Sequence, residues 1–150
     1  MTEIAKPLAR YSAWQRRGDF IFLSGIIAVD PTAGRIIRGF GDLPVGVGPT
    51  IGQTGEFSVD AKDGPILAQS WYIFDRMAAT LKDAGGSMAD VFKLVQYFKN
   101  LNDFPRYNTI RRIFFPNIPP VSTVVEVSAM MPSAEILIEV EATAYCPVPK

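Results

Sequence analysis

Residues 119–147, P-P-V-S-T-V-V-E-V-S-A-M-M-P-S-A-E-I-L-I-E-V-E-A-T-A-Y-C-P, decide the fold. They read as two strands, and the second alternates cleanly. Ile136, Ile138, Val140 and Ala142 point one way, while Glu135, Leu137, Glu139, Glu141 and Thr143 point the other. This is the pattern of a half-buried strand with an acidic face. Residues two apart on one face lie about 6.6 Å apart, so Glu139 and Glu141 can address one bound molecule or water. A solvated strand face is the competing reading.

The preceding segments supply the partners of that strand. Arg10–Trp14 reads as a short strand, followed by the turn R-R-G-D and a strand F-I-F-L-S over Phe20–Ser24 that ends at Gly25. A turn through Asp30, Pro31 and Gly34 leads to a short strand through Ile36 and Ile37. The stretch from about 40 to 64 is rich in glycine and proline, without helical period, and is expected to be a long loop serving as a lid or an interface, or as a plain insertion. From Pro65 to Asp83, Leu67, Trp71, Phe74, Met77, Ala78 and Leu81 recur at intervals of three and four, which predicts an amphipathic helix ended by Ala84-Gly85-Gly86. V-F-K-L-V-Q-Y-F over 91–98 suits a central strand, with Val91, Val95 and Tyr97 on one face and Phe92, Leu94 and Phe98 on the other. A second helix, begun by Asn102 or Asp103, runs through Tyr107 to Phe115 and stops at Pro116. Strands, helix, strand, helix and two strands make one α+β domain over 1–150, with helices on one face of the sheet. The opposite face needs a cover, and self-association is the economical one.

Composition prunes the chemistry. With 15 basic and 15 acidic residues the chain is neutral and has no basic stripe, which argues against nucleic acid and anionic membranes as partners. No apolar run approaches the roughly 20 residues of a membrane-spanning helix, and the N-terminus lacks the regions of a signal peptide, so a cytoplasmic protein is expected. Without histidine, no imidazole can activate a nucleophile, ligate zinc or shuttle a proton. The single cysteine, Cys146, has no disulfide partner in the chain and reads as a packed or tail thiol. The aspartates and glutamates show no calcium-loop spacing, so neither metal nor cofactor is expected.

Taken together, Ser24-Gly25, N-D-F-x-x-Y-N over 102–108, F-F-P over 114–116, V-E-V over 125–127 and E-V-E-A-T-A over 139–144 resemble the RidA/YjgF family of small imine and enamine deaminases. The similarity spans the whole chain apart from the 40–64 loop. It implies a chorismate-mutase-like α+β fold, a homotrimer whose sheets line a central barrel, and a cleft at each subunit seam. It further implies that Glu139 positions the attacking water and that Tyr11, Gly25 and Asn108 shape the pocket. Aligning V-E-V sets Ser122 where family deaminases carry the arginine that grips the substrate carboxylate, and Val124 where many carry a cysteine. A serine hydroxyl replaces neither the charge nor the fork of a guanidinium. Ser122, Thr123 and Val124 are therefore expected to line the pocket, with a cation from Arg16, Arg17, Arg106 or Arg111, or with none. The expected function is hydrolytic deamination of a small imine or enamine, the alternative a small-molecule binder or sensor built on the same cleft. The ribonuclease activity attached to some members fits this neutral chain poorly.

Overall fold

The computed structural model describes residues 6–149. Its strands are β1 (Trp14–Arg17), β2 (Phe20–Leu23), β3 (Ile26–Ile27), β4 (Val29–Asp30), β5 (Arg35–Ile36), β6 (Val91–Phe98), β7 (Val121–Glu126) and β8 (Ile138–Tyr145); its helices are α1 (Phe57–Asp83) and α2 (Phe104–Phe114). The main sheet runs β1-β2-β8-β6-β7, with β3 also paired to β8. Every pairing is antiparallel except β6 with β7, whose connection is α2. The last strand in the chain thus lies in the middle of the sheet. Its alternation is the expected one, because Ile138, Val140, Ala142 and Ala144 sink into the core while Glu139, Glu141 and Thr143 are only half-buried.

Both helices cover the same face. Ile66, Leu67, Ile73, Phe74, Met77 and Leu81 of α1 and Tyr107 and Ile110 of α2 pack with Leu94 and Phe98 of β6 into one core. Each such side chain fully removed from water contributes about 1.5–3 kcal/mol. The other face is open in a single protomer. There Phe20, Phe22, Phe92 and Tyr145 remain between 40% and 48% exposed, with the Phe20 ring against the other three. Among the described residues no helix is long and apolar enough to cross a membrane.

Three local expectations need correction. The first strand starts at Trp14, not Arg10, because the turn at Gly18 (φ +57°) pairs Arg17 with Phe20 and fixes the register as far as Trp14 with Leu23. The 40–64 segment is not one loop, since α1 begins at Phe57 and carries Pro65 inside it. Asp60 makes this possible by accepting hydrogen bonds from the Thr54 and Gly55 amides and the Thr54 hydroxyl, which hold the approach to the helix and lower the Asp60 pKa. Pro65 deprives the Ala61 carbonyl of its helical donor, but Ala61 is exposed and water can serve it. The part before the helix lies against the protein: Leu43 and Ile51 are buried, and Phe40 stacks so close to Gly64 that a Cβ there would meet its ring at 3.2 Å. Finally, β6 does not alternate throughout. A register shift between Val91 and Lys93 turns Phe92 to the open face and leaves Val91 and Leu94 both in the core.

Candidate functional site

The acidic strand delivers its carboxylate to a tight place. Glu139 pairs with Ile27 on one side and Tyr97 on the other. Its side chain lies across Gly25, where any Cβ would come within 2.9 Å of the Glu139 Cδ. Space, not backbone conformation, favours glycine here, since an added Cβ would make the end of the Glu139 side chain shift. Burial, aided by the nearby charge of Glu141, raises the Glu139 pKa. Glu141, next along the same face, instead accepts a 2.6 Å hydrogen bond from the Tyr97 hydroxyl, and that bond raises the tyrosine's pKa. No hydrogen bond from a described residue reaches the Glu139 carboxyl, so of the two acids it is the one left for a ligand or water. Gly25 also lines a cleft of about 80 Å³ with Tyr11, Ser24, Ile26 and Arg76. Tyr11 is 43% exposed at its rim, with its hydroxyl near the Leu8 amide.

A second cluster forms where α2 crosses the edge strand β7. Gln96 of β6 is fully buried among apolar side chains, yet its amide group is satisfied. Its Oε1 accepts from the Tyr107 hydroxyl and from Arg111 Nη1 (2.7 Å), and its Nε2 donates to Ser122 Oγ and to the Thr123 carbonyl, both at 2.9 Å. Arg111 also donates from Nη1 to Ser122 Oγ (3.0 Å) and from Nη2 to Asn108 Oδ1 (2.9 Å), with its guanidinium over the rings of Phe104 and Tyr107. A cavity of about 370 Å³ opens beside it, lined by Asn108, Arg111, Arg112, Phe115, Asn117 and Pro120 among others.

The expected site residues therefore fall into two groups. Gly25 touches Glu139 and shares with Tyr11 a cleft whose described lining does not include Glu139, while Asn108 and Ser122 meet at Arg111. Ser122 and Val124 face the helices with Leu94 and Gln96, whereas Thr123 turns to the open face with Val95. Glu139 is on the open face, level with Tyr97, while Ser122 is level with Leu94 on the other side. Three residues along the strands and two strand spacings across separate them by about 10 Å in each direction. A single protomer does not bring them together. The other candidate cations are occupied: Arg16 ties Cys146 and Ala84 carbonyls together, Arg17 bonds Gln15 and the Arg16 carbonyl, and Arg106 pairs with Asp63 and Asp103. Among the described residues no group of three or more acids, cysteines or histidines could hold a metal ion.

Comparison with known proteins decides the lineage. A family model described as endoribonuclease L-PSP matches residues 42–146, most of the chain. The chain belongs to the RidA/YjgF family. A RutC family protein of Pyrococcus abyssi is 33% identical over 140 residues, covering 93% of this chain and 89% of the relative. A 2-iminobutanoate/2-iminopropanoate deaminase of Dermatophagoides farinae is 30% identical over 100 residues, covering 63% and 78%. Among solved structures, one from Klebsiella pneumoniae whose name carries the endoribonuclease label is 59% identical with a TM-score of 0.88, covering 91% of this chain and all of that one. RidA from a Psychrobacter species shares the fold at a TM-score of 0.72 and 23% identity.

The residue of this cluster to which the RidA/YjgF motifs do not point is Gln96. Gln96 had a signal, being the one amide on the helix-facing side of an otherwise apolar strand. Tyr107 stood in N-D-F-x-x-Y-N and Arg111 among the candidate cations, but their bonds to Gln96 and Ser122 show only once β7 is laid beside α2.

Proposed function

We propose that this protein is a cofactor-independent hydrolytic deaminase of a small imine or enamine, acting in the cytoplasm at a cleft between protomers of a homotrimer. The observation that carries the reading is the Glu139 carboxyl: half-buried, raised in pKa, pressed on Gly25 and without a hydrogen bond from any described residue. In a chain without histidine, an acid whose pKa is raised by burial is better suited than an ordinary carboxylate to take and return a proton. The split between the two clusters supports assembly. The Glu139 side of one protomer needs the Asn108 and Ser122 side of another to enclose a ligand, and the exposed aromatic stripe on the open sheet face gives the protomers apolar surface to bury.

The chemistry asks little beyond positioning. Glu139 takes a proton from water as its oxygen bonds to the imine carbon, the π pair of C=N moves to nitrogen, and Glu139 hands that proton to the nitrogen. In the resulting amino alcohol Glu139 takes the hydroxyl proton as the oxygen forms C=O, the C–N bond breaks, and the same proton passes to the departing nitrogen, which leaves as ammonia. Alignment of water and substrate supplies most of the acceleration such a step needs.

The test is ammonia release from imines generated in situ by an amino-acid oxidase. Release is expected to be faster with the protein present and to be lost in Glu139→Ala. A second reading, a non-catalytic binder or sensor, is favoured by the serine at 122. Thermal stabilisation by small acids or amines without any acceleration of ammonia release would select it. Salt-sensitive RNA binding with cleavage would instead restore the activity in the family's endoribonuclease name.

A further inference from the structure

We infer that Arg111, reaching the β7 edge from α2, is the anion receptor of this site and restricts its ligands to those that carry a carboxylate. The inference rests on the deaminase reading for what is turned over, but not for what is bound.

A guanidinium has five N–H donors. Those of Arg111 meet Gln96 Oε1, Ser122 Oγ and Asn108 Oδ1, which uses both hydrogens of Nη1 and one of Nη2. The Nε hydrogen and the second on Nη2 have no partner among the described residues. All three acceptors are neutral, so orientation is fixed while the charge is left uncompensated. Arg38 and Arg106 differ in this respect, since each faces a carboxylate. Two aromatic rings, with centroids 5.3 and 5.6 Å from the guanidinium carbon, hold the plane of the group further. Rigidity of this kind makes a fork rather than a mobile charge.

The serine at 122 is the complement of this arrangement. An arginine there would set a second cation against Arg111, and like charges at that range repel. The small hydroxyl instead accepts from Arg111 and occupies little of the space before it. The cavity alongside carries Arg111, Arg112, Asn108 and Asn117, with no acidic residue among the described residues that line it. A small carboxylate matches both the sign and the two remaining donors.

The experiment is calorimetric titration of the intact protein with pyruvate and with its neutral amide, pyruvamide, beside the ammonia assay. The unmodified protein is expected to prefer pyruvate. Arg111→Gln should weaken pyruvate binding at least tenfold and leave pyruvamide binding unchanged. Arg111→Lys should retain part of the preference, because it keeps the charge and a donor for Gln96 but not the fork. Adding Ser122→Arg to Arg111→Gln should restore it. If Arg111→Gln melts too early to titrate, Arg111→Lys and its pyruvate-to-pyruvamide ratio carry the test, since a merely structural arginine would not alter that ratio. Equal binding of pyruvate and pyruvamide by the unmodified protein, unchanged pyruvate binding in Arg111→Gln, or loss in Arg112→Gln alone would overturn the inference. Pyruvate bound through Arg111 with no accelerated ammonia release would sink the deaminase reading and leave this one standing.

Discussion

The two halves of the proposed site hold their charged groups by opposite means. Glu139 lies against Gly25, between Ile27 and Tyr97 on the neighbouring strands, with no hydrogen bond from a described residue. Arg111 is confined by bonds, three neutral acceptors and two rings, around a buried glutamine. The contrast matches the work proposed for each. An acid that must exchange a proton gains from having no fixed partner, because every donor to its ionised form would pull its pKa down. A cation that only has to bind gains from being rigid, because orientation lost beforehand is not lost again on binding.

The largest effect should come from the acid. Glu139→Gln keeps the volume and removes the proton acceptor, and ammonia release should fall by about a hundredfold to ten-thousandfold, as for loss of a general acid-base group. Next is Gln96→Leu, which leaves the buried Tyr107 hydroxyl unpaired and takes an acceptor from Arg111. With a buried orphan costing about 1–3 kcal/mol, urea denaturation should show a loss of roughly 3 kcal/mol, and KM for an acidic substrate should rise. If Gln96→Leu left both untouched, the bonded half would not depend on its bonds.

Gly25→Ala probes the half held by shape. The added methyl meets Glu139 Cδ at 2.9 Å, so the carboxyl must shift, and kcat should drop about tenfold, the scale of a misplacement near 1 Å or less. Combining it with Glu139→Asp, one methylene shorter, should recover part of the loss. The smallest effect concerns stability against pH. Because the folded protein raises the Glu139 pKa above its ordinary 4.5, the folded state holds that proton more tightly than the unfolded chain, and stability falls as pH rises through the interval between the two values. Glu139→Gln should therefore melt at a slightly higher temperature than the unmodified protein at pH 8, and the gap should close below pH 4.5. A gap that widens on acidification would mean that the carboxylate is stabilised by a partner.

How much of this could be read beforehand follows from which forces are local. The alternation of β8 announced both its buried face and Glu139, because period-two burial is written residue by residue. Gly25 and Glu139 could be named from motifs, but their contact depends on β3 lying beside β8. The helix start at Phe57 was hidden by Pro65, which ordinarily marks a first turn, whereas the capping carboxylate of Asp60 acts through bonds to Thr54 and Gly55. The outward turn of Phe92 was hidden for a similar reason, since one extra residue in a ladder reverses the phase without changing composition. Arg111 stood among four candidate arginines of equal appearance. Only tertiary structure shows that three of them are engaged elsewhere.

The placing of Glu139 and Ser122 on opposite faces of one sheet has a genetic consequence. In the proposed ring every protomer lends its acid to one seam and its guanidinium to the next. Co-expressed chains bearing Glu139→Ala and Arg111→Gln separately would assemble some seams with both groups intact, whereas a chain bearing both lesions would spoil both seams it touches and act dominantly over normal copies.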